Sequence, residues 1–327
     1  MIIVTGGAGF IGSAVVWELN RRGVDDILIV DRLGATEKWH NLVNLRYSEY
    51  HHKDQFMRDL RQGGLPAGTT AVVHMGACSS TTERDADYLM FNNVHYSRDL
   101  ARACAAKGVR LVYASSAATY GDGSQGYCDD VALLDRLRPL SIYGYSKHLF
   151  DLWMRREGLL DRAVGFKFFN VFGVNEYHKG EMRSMALKAW EQVQEHHHVK
   201  LFASHRPGHE DGDETRDFLY VKDAAATVVR ALEPDIPGGI YNLGTGRPRT
   251  FKDMVKAVFA AMEREPDIDW LAMPAELRDQ YQYYTCADME KARAVGLPVP
   301  ATPLEEAISD YVKGYLERAK SHLGGDS

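Results

Sequence analysis

The chain has 327 residues, 45% of them hydrophobic and 26% charged, and a formal net charge of −6. That is the composition of an ordinary globular protein with room for one large domain or two modest ones. The negative balance excludes bulk attraction to nucleic acid or to an anionic membrane surface, so an anionic ligand must be held by local positive groups.

Met1-Ile2-Ile3-Val4-Thr5 reads as a buried parallel strand and runs into Gly6-Gly7-Ala8-Gly9-Phe10-Ile11-Gly12. Gly6 permits a tight turn, Gly9 lets a pyrophosphate approach the backbone, and Gly12 lets the following helix pack close to the strand. An amphipathic helix (Val15, Val16, Leu19) follows, then the strand Ile27–Val30 ending in Asp31. That acid stands ~20 residues after the glycines, the place of a ribose-binding carboxylate. Further elements alternate: a helix over Lys53–Arg61, the strand Ala71–Met75, a long helical stretch Tyr88–Lys107 stopped by Gly108, and the strand Val109–Ala114 ending in Ser115-Ser116. A helix from near Tyr143 to about Glu157 and the strand Ala163–Phe169, ending at Asn170, complete the alternation. The pattern predicts an α/β, Rossmann-type doubly wound parallel sheet whose strands deliver their C-terminal ends, and the ligand, to one edge.

The later half is more broken. Helices are expected over Gly180–Val199, Lys222–Leu232, Thr250–Arg264 and Pro303–Arg318, with extended chain at Arg216–Val221 and Ile240–Leu243. Ala203–Thr215 reads as a polar loop. The expected division is a dinucleotide-binding domain of residues 1–170 plus about 223–247, and a smaller α/β substrate-binding lobe of about 171–222 and 248–327. With a strand starting at Ile2 no cleaved leader is expected, and no apolar run approaches the ~20 residues that span a bilayer. Four cysteines (Cys78, Cys104, Cys128, Cys286) form no Cys-x-x-Cys pair, the pattern of reduced thiols in a cytoplasmic protein.

Tyr143-Gly144-Tyr145-Ser146-Lys147 carries the chemistry. On a helix Tyr143 and Lys147 share one face, and a nearby lysine cation favours the phenolate of a tyrosine that is otherwise a poor base. Lys147 can also hold a nicotinamide ribose. Ser116, ending a central strand, can hydrogen-bond a reacting oxygen. The order of glycine turn, strand-end serine and Tyr/Lys pair points to proton exchange with a substrate hydroxyl beside a bound dinucleotide.

These residues resemble the extended short-chain dehydrogenase/reductase superfamily, which acts largely on nucleotide sugars. Three segments are similar to its ADP-heptose 6-epimerase family: His74–Glu83, Tyr113–Gly121, and Phe169-Asn170-Val171-Phe172-Gly173 followed by His178-Lys179-Gly180. The resemblance implies an NADP-dependent isomerase that interconverts the C6 epimers of an ADP-heptose by transient oxidation, for lipopolysaccharide inner-core precursors. It implies two acid/base groups, Tyr143 and Lys179; Lys147 and the positive nicotinamide ring are expected to push Lys179 toward the free amine. It places Phe10, Ile11, Lys38, Lys53, Met75, Gly76, Ala77, Cys78, Ser79, Asn92, Lys147, Val171 and Lys179 at the cofactor. It places Ser116, Asn170, Glu181, Lys188, Phe202, Arg216 and Tyr281 at the substrate. It also implies a homo-oligomer, a pentameric ring.

Cofactor choice pulls two ways. Asp31 favours the ribose of NAD, whereas Arg32 can meet the 2′-phosphate of NADP and Lys38 and Lys53 add positive charge. NADP is the expectation, with NAD possible. Glu181 stands where a serine is expected and Lys188 where a histidine is, and the acids of the 203–215 loop are expected to be solvated. His196-His197-His198 and His51-His52 lack metal-ligand spacing, so no metal is expected. Tyr88 and Tyr96 are expected to pack, and neither nucleic acid nor membrane is an expected partner. Two rivals remain: another nucleotide-sugar epimerase or dehydratase, and a cofactor-sensing protein without turnover.

Overall fold

The computed structural model describes residues 1–205, 208, 210–274 and 282–325. Seven parallel strands form the central sheet: β1 (Ile2–Thr5), β2 (Ile27–Asp31), β3 (Glu49–His52), β4 (Ala71–His74), β5 (Arg110–Ser116), β6 (Ala163–Phe168) and, after intervening pieces, β11 (Gly239–Leu243). Their order is β11-β6-β5-β4-β1-β2-β3. The chain therefore winds outward in both directions from β1, and the reversal between β1 and β4 opens a crevice above their C-terminal ends. The central strands β1, β2 and β4 read as short, mostly aliphatic runs because both faces are covered; β2 is buried along its whole length.

Helices cover the sheet. α1 (Phe10–Arg21) and α2 (Lys53–Gly63) are followed by α3 (Ala86–Leu89), α4 (Tyr96–Lys107) and α5 (Ile142–Arg156). The expected helix Tyr88–Lys107 is interrupted by a π turn at Met90–His95, which brings both Asn92 and Asn93 inside. Asn93 uses its amide on the Cys78 carbonyl and the Ser146 hydroxyl, each at 3.0 Å, and accepts from the Cys78 N–H at 2.9 Å. The extra residue in that turn thus ties the loop after β4 to the helix that carries Tyr143 and Lys147.

The remaining elements are β7 (Asn170–Phe172), α6 (Met185–His196), β8 (Val199–Phe202), β9 (Thr215–Arg216), β10 (Phe218–Tyr220), α7 (Val221–Arg230), β12 (Arg249–Thr250), α8 (Phe251–Ala261), β13 (Ile268–Leu271), α9 (Glu290–Ala294) and α10 (Leu304–Tyr311). α7 packs on α1, whereas α8 packs on both α6 and α10. β7 pairs with β10, β8 with β13 and β9 with β12. The helix expected from Gly180 begins only at Met185. Ser184 caps it by accepting from the Leu187 N–H at 3.3 Å, and the preceding turn Tyr177–Met182 is broken at Gly180, whose φ is 54°. The loop acids are not uniformly solvated as expected: Glu210 and Asp213 are exposed, but Glu214 is 5% exposed. Among the described residues no helix is long and apolar enough to cross a membrane.

Candidate active site

One cavity of about 760 Å³ lies above the C-terminal ends of β1, β2, β4, β5 and β6. Every residue expected at the cofactor lines it, from Gly6, Gly9, Phe10, Ile11 and Gly12 through Asp31, Arg32, Lys38 and Lys53 to the Met75–Ser79 loop, Asn92, Lys147, Val171 and Lys179.

The glycine turn is shaped by close approach. A Cβ on Gly12 would stand 2.0 Å from the Gly6 carbonyl oxygen, and one on Gly6, at φ 69°, would stand 2.6 Å from the Gly76 nitrogen. No side chain caps α1, whose N-cap is Gly9. Its first N–H groups and the positive end of its dipole therefore face the cavity, the arrangement that receives a pyrophosphate. The residues present fit a dinucleotide.

At the far end of the cavity Asp31 is 6% exposed and already engaged. It accepts from the Ala8 N–H at 2.9 Å and the Arg32 N–H at 2.6 Å, and it pairs with the Lys38 ammonium at 2.5 Å. Asp31 thus holds the glycine turn against the loop after β2, and Lys38 covers much of its charge. Arg32 lies at the same rim, and Lys53 pairs with Asp54 at 2.9 Å. Three cations ring this end of the cavity.

Ser116 ends β5, and Tyr143 and Lys147 lie on one face of α5; all three line the cavity. Ser141 caps α5, accepting from the Gly144 N–H at 3.1 Å. Gly144 has no room for a side chain, because a Cβ would meet the Ala118 carbonyl oxygen at 2.7 Å. This close packing fixes Tyr143 against the strand-end serine. Burial pushes the Tyr143 phenol up, the Ser116 hydroxyl bonded to it opposes that rise, and the Cys78 thiol adds to it. Burial, rather than the lowering by Lys147 expected from the spacing, therefore governs the phenol. The Lys147 ammonium donates to the Ala114 carbonyl at 2.8 Å. Lys147 itself is brought down to about 8 by burial, against the opposing pull of Asp151 and Cys78.

Behind these groups lies a polar layer. Asp151 and Lys167, both fully buried, stand 3.3 Å apart. Asp151 also accepts from the Ser115 hydroxyl at 2.6 Å and the Tyr113 hydroxyl at 3.1 Å, and Lys167 donates to Thr119 at 2.5 Å. Thr119 in turn donates to the Ser116 carbonyl at 2.8 Å. The sequence signal for this layer is Lys167 itself, a charge inside the otherwise apolar strand Ala163–Phe168.

Lys179 enters from the opposite wall. Its ammonium lies 4.9 Å from the centre of the Phe10 ring, and burial lowers its pKa against the opposing pull of Glu176. The push on Lys179 thus comes from burial rather than from the expected Lys147. His178 lines the same wall, lowered to about 4 mainly by burial.

Of the residues expected at the substrate, Ser116 and Asn170 line the cavity. Glu181 and Lys188 do not: the Lys188 ammonium donates to the Glu181 carbonyl at 2.7 Å, and the Glu181 side chain is 94% exposed. Phe202 and Arg216 also lie off the cavity lining, Arg216 stacking on Phe251 at 5.3 Å. Tyr281 lies outside the described residues. Tyr96 is buried as expected, but Tyr88 is 38% exposed at the cavity rim. Sequence reasoning missed Met182, Ser184, Phe251 and Met254 of the lining, which carry no motif.

A model of the NAD dependent epimerase/dehydratase family matches residues 2–244. A relative from Nitratidesulfovibrio vulgaris strain Hildenborough, named ADP-L-glycero-D-manno-heptose-6-epimerase, is 54% identical over 323 residues, covering 99% of this chain and 100% of its own. A protein of the same name from Fusobacterium nucleatum is 45% identical over 332 residues, with 99% and 100% covered. Among solved structures, Thermus thermophilus UDP-glucose 4-epimerase in complex with NAD superposes with a TM-score of 0.75 at 27% identity, covering 100% of this chain and 99% of that one. Helicobacter pylori ADP-L-glycero-D-manno-heptose-6-epimerase superposes with a TM-score of 0.80 at 24% identity, covering 96% and 95%, and shows the shared fold. The chain belongs to the NAD dependent epimerase/dehydratase family.

Proposed function

We propose that this protein interconverts the two C6 epimers of ADP-glycero-D-manno-heptose, in the cytoplasm, for lipopolysaccharide inner-core precursors. The observation that carries the reading is the meeting, in one cavity, of the uncapped glycine turn, the Ser116–Tyr143–Lys147 set and Lys179 on the facing wall. The full-length relatives' names support the sugar nucleotide.

The chemistry supplied by a bound dinucleotide is reversible acceptance of a hydride from the sugar carbon. The glycine turn and the α1 N-terminus hold its pyrophosphate, and Lys147 its nicotinamide ribose. Arg32, Lys38 and Lys53 favour NADP over NAD, because Asp31 is already paired with Lys38 and offers a 2′-hydroxyl little free charge. Inverting a carbon by oxidation and reduction requires proton exchange on two sides of the sugar. Tyr143 Oη serves one side, steadied by the Ser116 hydroxyl; Lys179 Nζ serves the other. Burial keeps Tyr143 a neutral phenol at rest, suited to giving a proton, and shifts Lys179 toward the free amine, suited to taking one. Ser116 and Asn170 contact the sugar, and Glu181, Lys188, Phe202, Arg216 and Tyr281 remain the proposed substrate residues of the second lobe. That lobe comprises about 171–222 and 248–327, beside the dinucleotide-binding domain of 1–170 plus about 223–247. The assembly is a homo-oligomeric ring.

The test is incubation with ADP-heptose of one C6 configuration and no added cofactor. Appearance of the other epimer supports the reading; unchanged substrate from protein that carries cofactor refutes it.

A further inference from the structure

Glu176 is fully buried three residues before Lys179. Its Oε1 accepts from the Gly173 N–H at 3.1 Å, the Ser184 hydroxyl at 2.6 Å and the Tyr311 hydroxyl at 3.3 Å. Its Oε2 accepts from the Ser184 N–H at 2.5 Å. The Ser184 hydroxyl accepts from the Leu187 N–H and so has its own hydrogen free to give. Burial raises the Glu176 carboxyl, and the Lys179 charge and the bonds from Ser184 and Gly173 oppose that rise. Four donors converging on one carboxyl, at the N-terminus of α6, favour its ionised form.

Gly173 and Ser184 bracket the segment that carries Lys179. A single side chain therefore closes that segment at its base, and the Lys179 N–H adds a bond to the Glu176 carbonyl at 3.0 Å. The segment is short, turns through Gly180 at φ 54°, and projects Lys179 onto the ring of Phe10.

We propose that Glu176 is the positioning residue for Lys179: it shuts the base of the 173–184 segment and places a buried negative charge three residues from the lysine. This rests on Lys179 acting as the second acid/base group. On the segment itself Arg183 pairs with Glu191 at 2.8 Å and Glu181 is exposed, and the tyrosines packed on Glu176 are neutral. Tyr177 and Tyr311 are pushed up by burial and by Glu176 itself. On the Lys179 side His178 is lowered to about 4, with Lys38, Asp31 and His322 beyond it. Substituting Glu176 therefore changes the charge that Lys179 faces from its own segment.

The test uses full-length protein as purified and reads Lys179 by its rate of acetylation with acetic anhydride across pH, by peptide mass spectrometry, beside the pH profile of epimerisation. Glu176→Gln is expected to move the Lys179 labelling midpoint to lower pH by about one unit, with the matching limb of the rate profile. Glu176→Asp, which keeps the charge but is one carbon shorter, is expected to keep the midpoint, label faster at its plateau and lose rate. A wild-type midpoint in Glu176→Gln overturns the proposal. If that variant does not fold, Glu176→Asp decides: wild-type plateau labelling and rate overturn it. Lys179→Met separates the two readings. Full activity there removes the acid/base role of Lys179, whereas a crippled Lys179→Met beside an unshifted Glu176→Gln overturns the Glu176 proposal alone.

Discussion

Tyr143 and Lys38 show how single side chains divide the work of the cavity. The Tyr143 phenol is raised by burial and held by Ser116, and under the proposed function it exchanges a proton rather than binding the cofactor. Tyr143→Phe is expected to lower turnover by roughly 10²–10⁴-fold, the range for losing a positioned acid/base group. Cofactor content, read by absorbance of the purified protein, should stay near normal; a variant of near-normal rate would remove Tyr143 from the proton path. Lys38 acts at the other end. Its ammonium neutralises Asp31 at 2.5 Å while lining the cavity. Lys38→Ala should free the Asp31 carboxylate, which repels a 2′-phosphate and welcomes a 2′-hydroxyl. The expected result, by fluorescence titration of cofactor-depleted protein, is about tenfold or greater loss of preference for NADP over NAD. An unchanged ratio would place the choice of cofactor elsewhere.

At the scale of elements, the turn between β1 and α1 depends on missing atoms. Gly12→Ala would push a Cβ into the Gly6 carbonyl, a backbone contact that no rotamer can relieve. The turn must shift, so cofactor retention and melting temperature should fall together; retention of both would show that the turn has slack. This unit is legible in the sequence because its glycines are a direct record of steric demand. The parallel strands are legible for a similar reason: apolar runs such as Ile27–Val30 can only be buried on both faces. β3 is not, since Glu-Tyr-His-His carries no apolar pattern and is held at the sheet edge by backbone pairing with β2. Nor is the start of α6, because the helical pattern continues through Gly180 while the cap that begins the helix is Ser184. Glu181 and Lys188 rest on resemblance alone, and their mutual pairing off the cavity cannot be read from spacing.

Across the whole molecule, three histidines that tie neighbouring elements together are shifted by burial toward the neutral form, which is expected to make the fold sensitive to acid. His74 ends β4 at 3% exposure. Its Nδ1 meets the Thr5 hydroxyl at 2.5 Å and its Nε2 the Ser97 hydroxyl at 2.8 Å, while Ser97 donates to the Asn93 carbonyl. This network assigns a neutral ring with the proton on Nε2: Ser97 accepts it, and Thr5 donates to Nδ1. Burial accordingly lowers His74 to about 3, and it also lowers His178 and His322 to about 4. His322 reaches Asn41 at 2.9 Å and Asn175 at 3.2 Å, tying the C-terminal segment to the structure behind the glycine turn. The sign follows from linkage. The unfolded chain binds protons at these histidines near pH 6.5, whereas the folded chain does not until well below that, so their stabilisation is full above pH 6.5 and is lost as pH falls toward the folded values. His74 alone is expected to contribute a loss of about 3 kcal/mol between pH 6.5 and 4; the two half-buried histidines add less because water screens them. The melting temperature should therefore begin to fall below pH 6.5, above the range in which ordinary carboxylates titrate. His74→Gln, which keeps a donor and an acceptor without the titration, should be less stable at pH 7.5 but flatten the decline between pH 6.5 and 5. A decline equally steep in that variant would assign the acid sensitivity to groups other than the His74 ring.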